Sequence, residues 1–347
     1  MKTIKELTRK CIDSLQPYSS ARNEYSGKTA RVFLDANENP YNDPINRYPD
    51  PLQCELKNQV AAIKGVRPSQ VFFGNGSDEA IDLMYRIFCN PGRDNAVAME
   101  PSYGMYGVSA DINDVEYRRI LTDSAFQPDI DAMLAAVDEN TKLMFFCSPN
   151  NPSGNLIERS RLIWALDSFQ GITIIDEAYI DFAGTESMTA LLDSYPNLVV
   201  LQTFSKAWGM AGIRLGMAFA SEEIIGLMNK VKYPYNINCL TQQAALEQLQ
   251  QRDRMKKWVS QIIEERSVMA AAIAELPVCL HVFPSDANFI LVRVTDASAI
   301  YNYLTDNGII VRNRSRIALC GNSLRITVGT PQENAELLGS LAEYCRI

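Results

Sequence analysis

The chain has 347 residues, Lys+Arg 33 against Asp+Glu 41 for a net charge of −8, and 47% hydrophobic residues. That is material for about two domains of roughly 150 residues with a sizeable core, without the basic excess that a nucleic-acid partner selects. A single histidine, His281, excludes mechanisms that need two, including most zinc hydrolases and two-histidine iron sites, and no metal is expected. The eight cysteines contain no C-x-x-C pair, which excludes zinc ribbons and thioredoxin-type redox sites. Several lie in apolar strand-like runs, as Cys147 does in LMFFCS, and read as reduced thiols. The charged start MKTIKELTRK has no apolar signal segment, and no run approaches about 18 apolar residues. A cytoplasmic protein with no membrane partner is expected.

In chain order, residues 1–30 show little strand pattern and read as an arm that packs on something else. VFF (71–73) breaks at Gly74-Asn75-Gly76 and runs into the helical pattern DEAIDLMYRIF. AVAM (96–99) leads to a Pro-Ser-Tyr-Gly turn and a second helical stretch. LMFFCS (143–148) ends at Asn150-Asn151-Pro152 before a helix around RLIWALDSF. ITII (172–175) precedes DEAYIDF, and LVVLQTF (198–204) precedes SKAWG. Short apolar runs alternating with helices predict an α/β architecture, with a mostly parallel sheet covered by helices on both faces. After about residue 240 the pattern changes to a long helix (241–275), FILVRV, a helix near 298–307, IIVR, LRITVG and a last helix from Pro331. This predicts a smaller C-terminal α+β unit. The expected division is an arm (1–30), a large domain (31–245) and a small domain (246–347).

In open parallel sheets, ligands bind outside the carboxyl ends of the strands. Three predicted strands end in reactive residues: at Asn150-Asn151-Pro152, at Asp176-Glu177-Ala178-Tyr179, and at Ser205-Lys206. Each alone is an ordinary turn, cap or loop; the three together are not. Lys206 is distinctive among the twelve lysines, because no acid lies between Asp193 and Glu222 and its flanks are apolar or small. A desolvated lysine without a counter-ion has a depressed pKa, as an amine that attacks carbonyls requires.

Such an amine needs an electron sink, and pyridoxal supplies one when a carboxylate keeps its ring nitrogen protonated. Asp176, at a buried strand end, suits that role, while Tyr179 and Asn151 could donate to the phenolic oxygen. The Gly74–Glu79 turn, with Ser77 and Asp78 opening a helix, is a natural anion cradle, and Arg214 would add charge without an acid nearby in sequence. Tyr103 could stack on the ring face. From Asn307 to Gln332 there are four arginines (Arg312, Arg314, Arg316, Arg325) and no acid, a pattern that suits carboxylate or phosphate.

These segments resemble the fold-type I pyridoxal-phosphate aminotransferases, in order and over nearly the whole chain. The most specific block is Ser205-Lys206-Ala207-Trp208-Gly209-Met210-Ala211-Gly212-Ile213-Arg214, supported by Pro101-Ser102-Tyr103, Asn151-Pro152-Ser153-Gly154 and Leu324-Arg325-Ile326-Thr327. Pro17-Tyr18-Ser19-Ser20-Ala21-Arg22, Leu34-Asp35-Ala36-Asn37-Glu38-Asn39-Pro40 and Asn46-Arg47-Tyr48-Pro49 are similar to the histidinol-phosphate subgroup within that class. The resemblance implies that Lys206 carries the cofactor and the proton, that Asp176 pairs with the ring nitrogen, and that Asn151 and Tyr179 flank the phenolic oxygen. It also implies that Ser77, Asp78, Ser205 and Arg214 hold the cofactor phosphate, with Tyr48 reaching that of a neighbouring subunit in a homodimer. Arg325, with Arg312, Asn37 and Tyr18, would bind substrate. The implied reaction is transamination of L-histidinol phosphate with 2-oxoglutarate. Ser153 replaces the usual threonine and Trp208 a common phenylalanine. Three alternatives stay open: an aromatic aminotransferase or phospho-amino-acid decarboxylase on the same scaffold, a dinucleotide-dependent dehydrogenase, and a cofactor-free binding protein. The dehydrogenase fingerprint at Gly74-x-Gly76 lacks its third glycine, where Glu79 stands.

Overall fold

The structure is a computed structural model that describes residues 2–18 and 31–346. Seven strands form the larger sheet: β1 (Val71–Asn75), β2 (Asn95–Glu100), β3 (Glu116–Leu121), β4 (Thr141–Cys147), β5 (Ile172–Asp176), β6 (Leu198–Thr203) and β7 (Leu215–Ala220). Their order is β1-β7-β6-β5-β4-β2-β3. The neighbours from β3 to β6 pair in parallel, and β7 runs antiparallel to both β6 and β1. A smaller sheet holds β8 (Cys279–Val282), β9 (Phe289–Val294), β10 (Arg312–Asn313) and β11 (Ser323–Thr327), ordered β10-β11-β9-β8.

The period-2 geometry of the strands sorts the core into two layers. Val97, Met99, Met144, Phe146, Ile175 and Val200 pack on one face of the large sheet. Their chain neighbours Ala96, Ala98, Leu143, Phe145, Ile174 and Val199 pack on the other. Both faces are covered by helices, so the strands read as continuous apolar runs, and each fully buried Phe, Leu or Ile contributes about 1.5–3 kcal/mol. A third cluster, including Ile290, Val292, Ile300 and Leu324, forms the core around the small sheet.

Three strands were not evident in the sequence. EYRRIL (β3) is half charged and lies at the sheet edge, and LGMAFA (β7) is half Gly and Ala with no β-branched residue. Cys279–Val282 (β8) is short and partly exposed. The expected strand IIVR is reduced to the two-residue β10. The helix expected over 241–275 is two, Cys239–Leu249 and Arg252–Ala274. Their break at Gln250-Gln251 has no Pro or Gly to signal it. The first helix buries Ala245 and Leu249 in the large core, and the second runs from Met255 and Val259 in that core to Met269 and Ile273 in the small one.

At the N-terminus, Ile4 and Leu7 are buried against the same chain, in one cluster with Ile87 and Phe88. Arg9 N–H donates to Ile87 O at 3.0 Å. The start of the expected arm is thus docked on the large sheet's helices, and its Ser19–Arg22 motif lies outside the described residues. Among the described residues, no helix is long and apolar enough to cross a membrane.

Candidate active site

Because β1, β2, β4, β5 and β6 point the same way, their carboxyl ends deliver Asn75, Glu100, Cys147, Asp176 and Thr203 to one edge. The antiparallel β7 begins at that edge and brings Arg214 to it. A cleft of ≈ 630 Å³ opens there, closed on the far side by Arg312, Arg314 and Arg325 of the small sheet. Such a volume suits a cofactor together with a small substrate.

Of the residues expected at the site, Ser77, Asp78, Tyr103, Asn151, Asp176, Tyr179, Ser205, Lys206, Arg214, Arg312 and Arg325 line this cleft. Tyr48, Asn37 and Tyr18 do not. Tyr48 is half exposed and stacks on Tyr235, ring centroids 4.5 Å apart. Tyr18 lies in a separate surface depression beside Lys230, and Asn37 is exposed.

The anion cradle is built on close backbone approach. Gly76, at φ +75°, donates its N–H to Arg214 O at 2.7 Å, and a Cβ on it would lie 2.7 Å from Arg214 Nη2. A Cβ on Gly216 would lie 2.1 Å from Ser77 N. At Gly216 the backbone itself leaves no room for a side chain, and at Gly76 the positive φ disfavours one. Arg214 itself holds φ +54°, a left-handed conformation that costs a non-glycine residue about 1–2 kcal/mol and that aims its guanidinium at the N-terminus of the helix Ser77–Phe88. Arg214 has no acid near it in sequence, but the fold brings one to it: its Nη2 lies 3.6 Å from Asp78 Oδ2. Tyr103 Oη donates to the other Asp78 oxygen at 3.0 Å. The Asp78 carboxylate is therefore engaged, and its backbone N–H is what the residue offers an anion.

At the end of β5, Asp176 is buried. Tyr106 Oη donates to its Oδ2 at 2.8 Å and Ala178 N–H to its Oδ1 at 3.0 Å. Burial nevertheless pushes its carboxyl up to about 6, against these bonds. Lys206 Nζ has no hydrogen bond or ion pair among the described residues and lies 5.5 Å from the Tyr179 ring centroid. Burial, and then Arg325, lower its pKa from the ordinary lysine value. Tyr179 is 7% exposed, and burial raises its phenol.

The small-sheet wall is of one sign. Arg312 and Arg325 are direct partners in the β10–β11 pair, and Arg314 follows two residues on. Arg325 Nη1 donates to Asn151 Oδ1, and its guanidinium lies 5.1 Å over the Phe289 ring. The Nε atoms of Arg314 and Arg325 and the Ser102 hydroxyl are buried without a partner among the described residues. Buried orphan donors of this kind call for an acceptor, and an anion in the cleft is one that fits. Arg314 was singled out only as part of a basic run, and Arg316 does not line the cleft. Tyr106 was missed altogether, since nothing local in MYGVSADI announces a partner on β5. His281 is exposed and packs edge-on against Phe283 at 4.6 Å, away from the cleft.

Comparison with known proteins agrees with this geometry. Residues 21–341 match the family model described as aminotransferase class I and II. A histidinol-phosphate aminotransferase of Bacteroides fragilis is 60% identical over 344 residues, 99% of this chain and 100% of the relative. One from Cytophaga hutchinsonii is 52% identical over 346 residues, 99% of each chain. Among solved structures, the histidinol-phosphate aminotransferase from Clostridium acetobutylicum superposes with a TM-score of 0.80 at 24% identity, covering 87% of this chain and 91% of that one. The Sinorhizobium meliloti enzyme in complex with pyridoxal-5'-phosphate gives a TM-score of 0.78 over 86% of this chain and 83% of that one. With its strand-end lysine, buried aspartate and arginine-backed cradle on one sheet edge, the chain belongs to the class I and II aminotransferases.

Proposed function

We propose that the chain transfers the amino group of L-histidinol phosphate to 2-oxoglutarate, yielding imidazole-acetol phosphate and L-glutamate, with pyridoxal 5'-phosphate as cofactor. The observation that carries the substrate is the wall of Arg312, Arg314 and Arg325 in the same cleft as Lys206, with the buried Nε donors of Arg314 and Arg325 lacking acceptors among the described residues. A phosphate dianion satisfies three converging arginines better than a carboxylate does. The full-length likeness to histidinol-phosphate aminotransferases supports the same substrate.

Bound pyridoxal phosphate supplies an electron sink for the charge left when the substrate Cα loses its proton. The chain's residues do the rest. Ser77, the Asp78 N–H, Ser205 and Arg214 hold the cofactor phosphate at the helix N-terminus. Asp176 would keep the ring nitrogen protonated, Tyr103 would stack on the ring, and Asn151 and Tyr179 would donate to the phenolic oxygen. Lys206 Nζ would hold the cofactor and, once the substrate amine has taken its place, would be the group that removes the substrate Cα proton and gives it back. A lowered pKa leaves a share of Nζ unprotonated near neutrality, as a proton carrier requires. Arg325, with Arg312, binds the anionic group of either substrate, and Arg314 adds the charge that a phosphate needs.

A homodimer belongs to the same proposal. Val32, Leu34, Tyr41, Ile45 and Tyr48 are exposed on one chain, an apolar run that a second copy would cover. Tyr48 would then reach the partner's cofactor phosphate, with Asn37 and Tyr18 beside the substrate. The two sheets support a cofactor-binding large domain (31–245) and a substrate-closing small one (246–347). Eight unpaired cysteines support a cytoplasmic location. The test is a panel of L-histidinol phosphate, phenylalanine and tyrosine with 2-oxoglutarate and added pyridoxal phosphate. Preference for histidinol phosphate is expected; preference for the aromatic amino acids overturns the substrate assignment.

A further inference from the structure

We infer that Tyr106 is a positioning residue for this reaction: its hydroxyl keeps the Asp176 carboxylate ionised and aimed at the position of the cofactor ring nitrogen. Tyr106 is fully buried and does not line the cleft, so it can act on the reaction only through what it touches. Its hydroxyl donates to Asp176 Oδ2 at 2.8 Å and also neighbours the buried Cys147 thiol. With Ala178 N–H on Oδ1, each carboxylate oxygen has one fixed donor, and the carboxyl plane cannot turn. The tyrosine is itself held. Its ring stacks on Phe145 at 4.8 Å and 18°, Tyr103 meets it edge-on at 5.6 Å, and its backbone carbonyl accepts from Tyr85 Oη at 2.9 Å.

The groups facing Asp176 define how much falls to Tyr106. Asp78, from the helix Ser77–Phe88, opposes ionisation, and Lys206, after β6, favours it. The Cys147 thiol on β4 and the phenols of Tyr103 and Tyr179 are kept neutral by burial. Among the described residues, Tyr106 provides the one side-chain hydrogen bond to this carboxylate. A donor to the charged form favours that form, most strongly where solvent cannot substitute.

The inference rests on the pairing of Asp176 with the ring nitrogen proposed above. The test uses the full chain, stripped of cofactor and titrated with pyridoxal phosphate by fluorescence between pH 5 and 9. Tyr106→Phe keeps the ring and removes the donor; Tyr85→Phe removes only the bond to the Tyr106 backbone carbonyl and leaves the Tyr106–Asp176 bond in place. For Tyr106→Phe we expect affinity for pyridoxal phosphate to fall about tenfold near pH 6, with the acid limb of binding moved up by about one pH unit. The absorption band of the bound cofactor should shift, and kcat should fall with KM for both substrates within about twofold. Tyr85→Phe should leave the binding profile in place. Equal shifts in both variants, or a Tyr106→Phe profile matching wild type, overturn the inference. Asp176→Asn separates the two levels: if it binds pyridoxal phosphate like wild type across the pH range, the ring-nitrogen pairing itself fails. If only Tyr106→Phe is silent, the positioning role alone fails.

Discussion

The carboxylates on the large-sheet wall of the cleft are satisfied within the protein, and the arginines on the small-sheet wall are not fully so. On the large-sheet wall, Asp176 has two donors, and Asp78 is engaged by Tyr103 and Arg214. On the small-sheet wall, Arg312, Arg314 and Arg325 repel one another, and burial together with that repulsion lowers the pKa of Arg314. The first wall is preorganised by bonds within the protein and suits a cofactor that stays. The second is left short of an anion and suits a substrate that comes and goes. An active site can therefore separate permanent from transient binding by where it leaves donors unpaired.

Substitutions on the two walls should fail differently. Lys206→Ala should lower turnover by about 10³-fold or more in both half-reactions, measured by single-turnover absorbance with each substrate; normal turnover would remove Lys206 from the site. Asp176 should show itself next, in the stability of the cofactor-free chain. Its carboxyl is raised to about 6 in the fold against 3.8 when unfolded. The native state therefore binds the extra proton between those values, and stability falls as pH rises through about 6. The full effect is about 3 kcal/mol. Urea unfolding at pH 4 and pH 8 should show it as a difference between wild type and Asp176→Asn, which lacks the titration.

Arg325→Gln should raise KM for both substrates, by about 30-fold, since it removes a buried charge from each anion's site. Arg314→Gln should raise KM by about fivefold for histidinol phosphate while leaving glutamate near wild type; steady-state kinetics in both directions reads this. Equal effects on both substrates would break the distinction between a shared arginine and a phosphate-specific one. The smallest effect is expected at Tyr48→Phe, a loss of about threefold to fivefold in pyridoxal phosphate affinity with the oligomeric state unchanged by light scattering.

How much of this was legible depended on whether the signal was local. Lys206, Asp176 and Asn151 stand directly after apolar runs, so strand ends announced them, and the Gly74–Glu79 turn declared itself by composition. Tyr106 could not be found that way, because its partner is 70 residues away. β7 was missed because Gly and Ala let strands pack closely without giving a strand pattern; the close approach of Gly216 to Ser77 requires that composition.

By itself the sequence determined the α/β class, the order of the strand ends and the lysine that lies farthest from any acid, because periodicity, turn chemistry and charge are written over a few residues. Only the tertiary structure decided that β7 runs antiparallel and sets Arg214 against Gly76 and Asp78. Only it placed Arg312 opposite Arg325 and left Tyr48 outside its own chain's cleft. Those outcomes depend on contacts between residues far apart in the chain, whose energies are settled by packing and desolvation rather than by local preference.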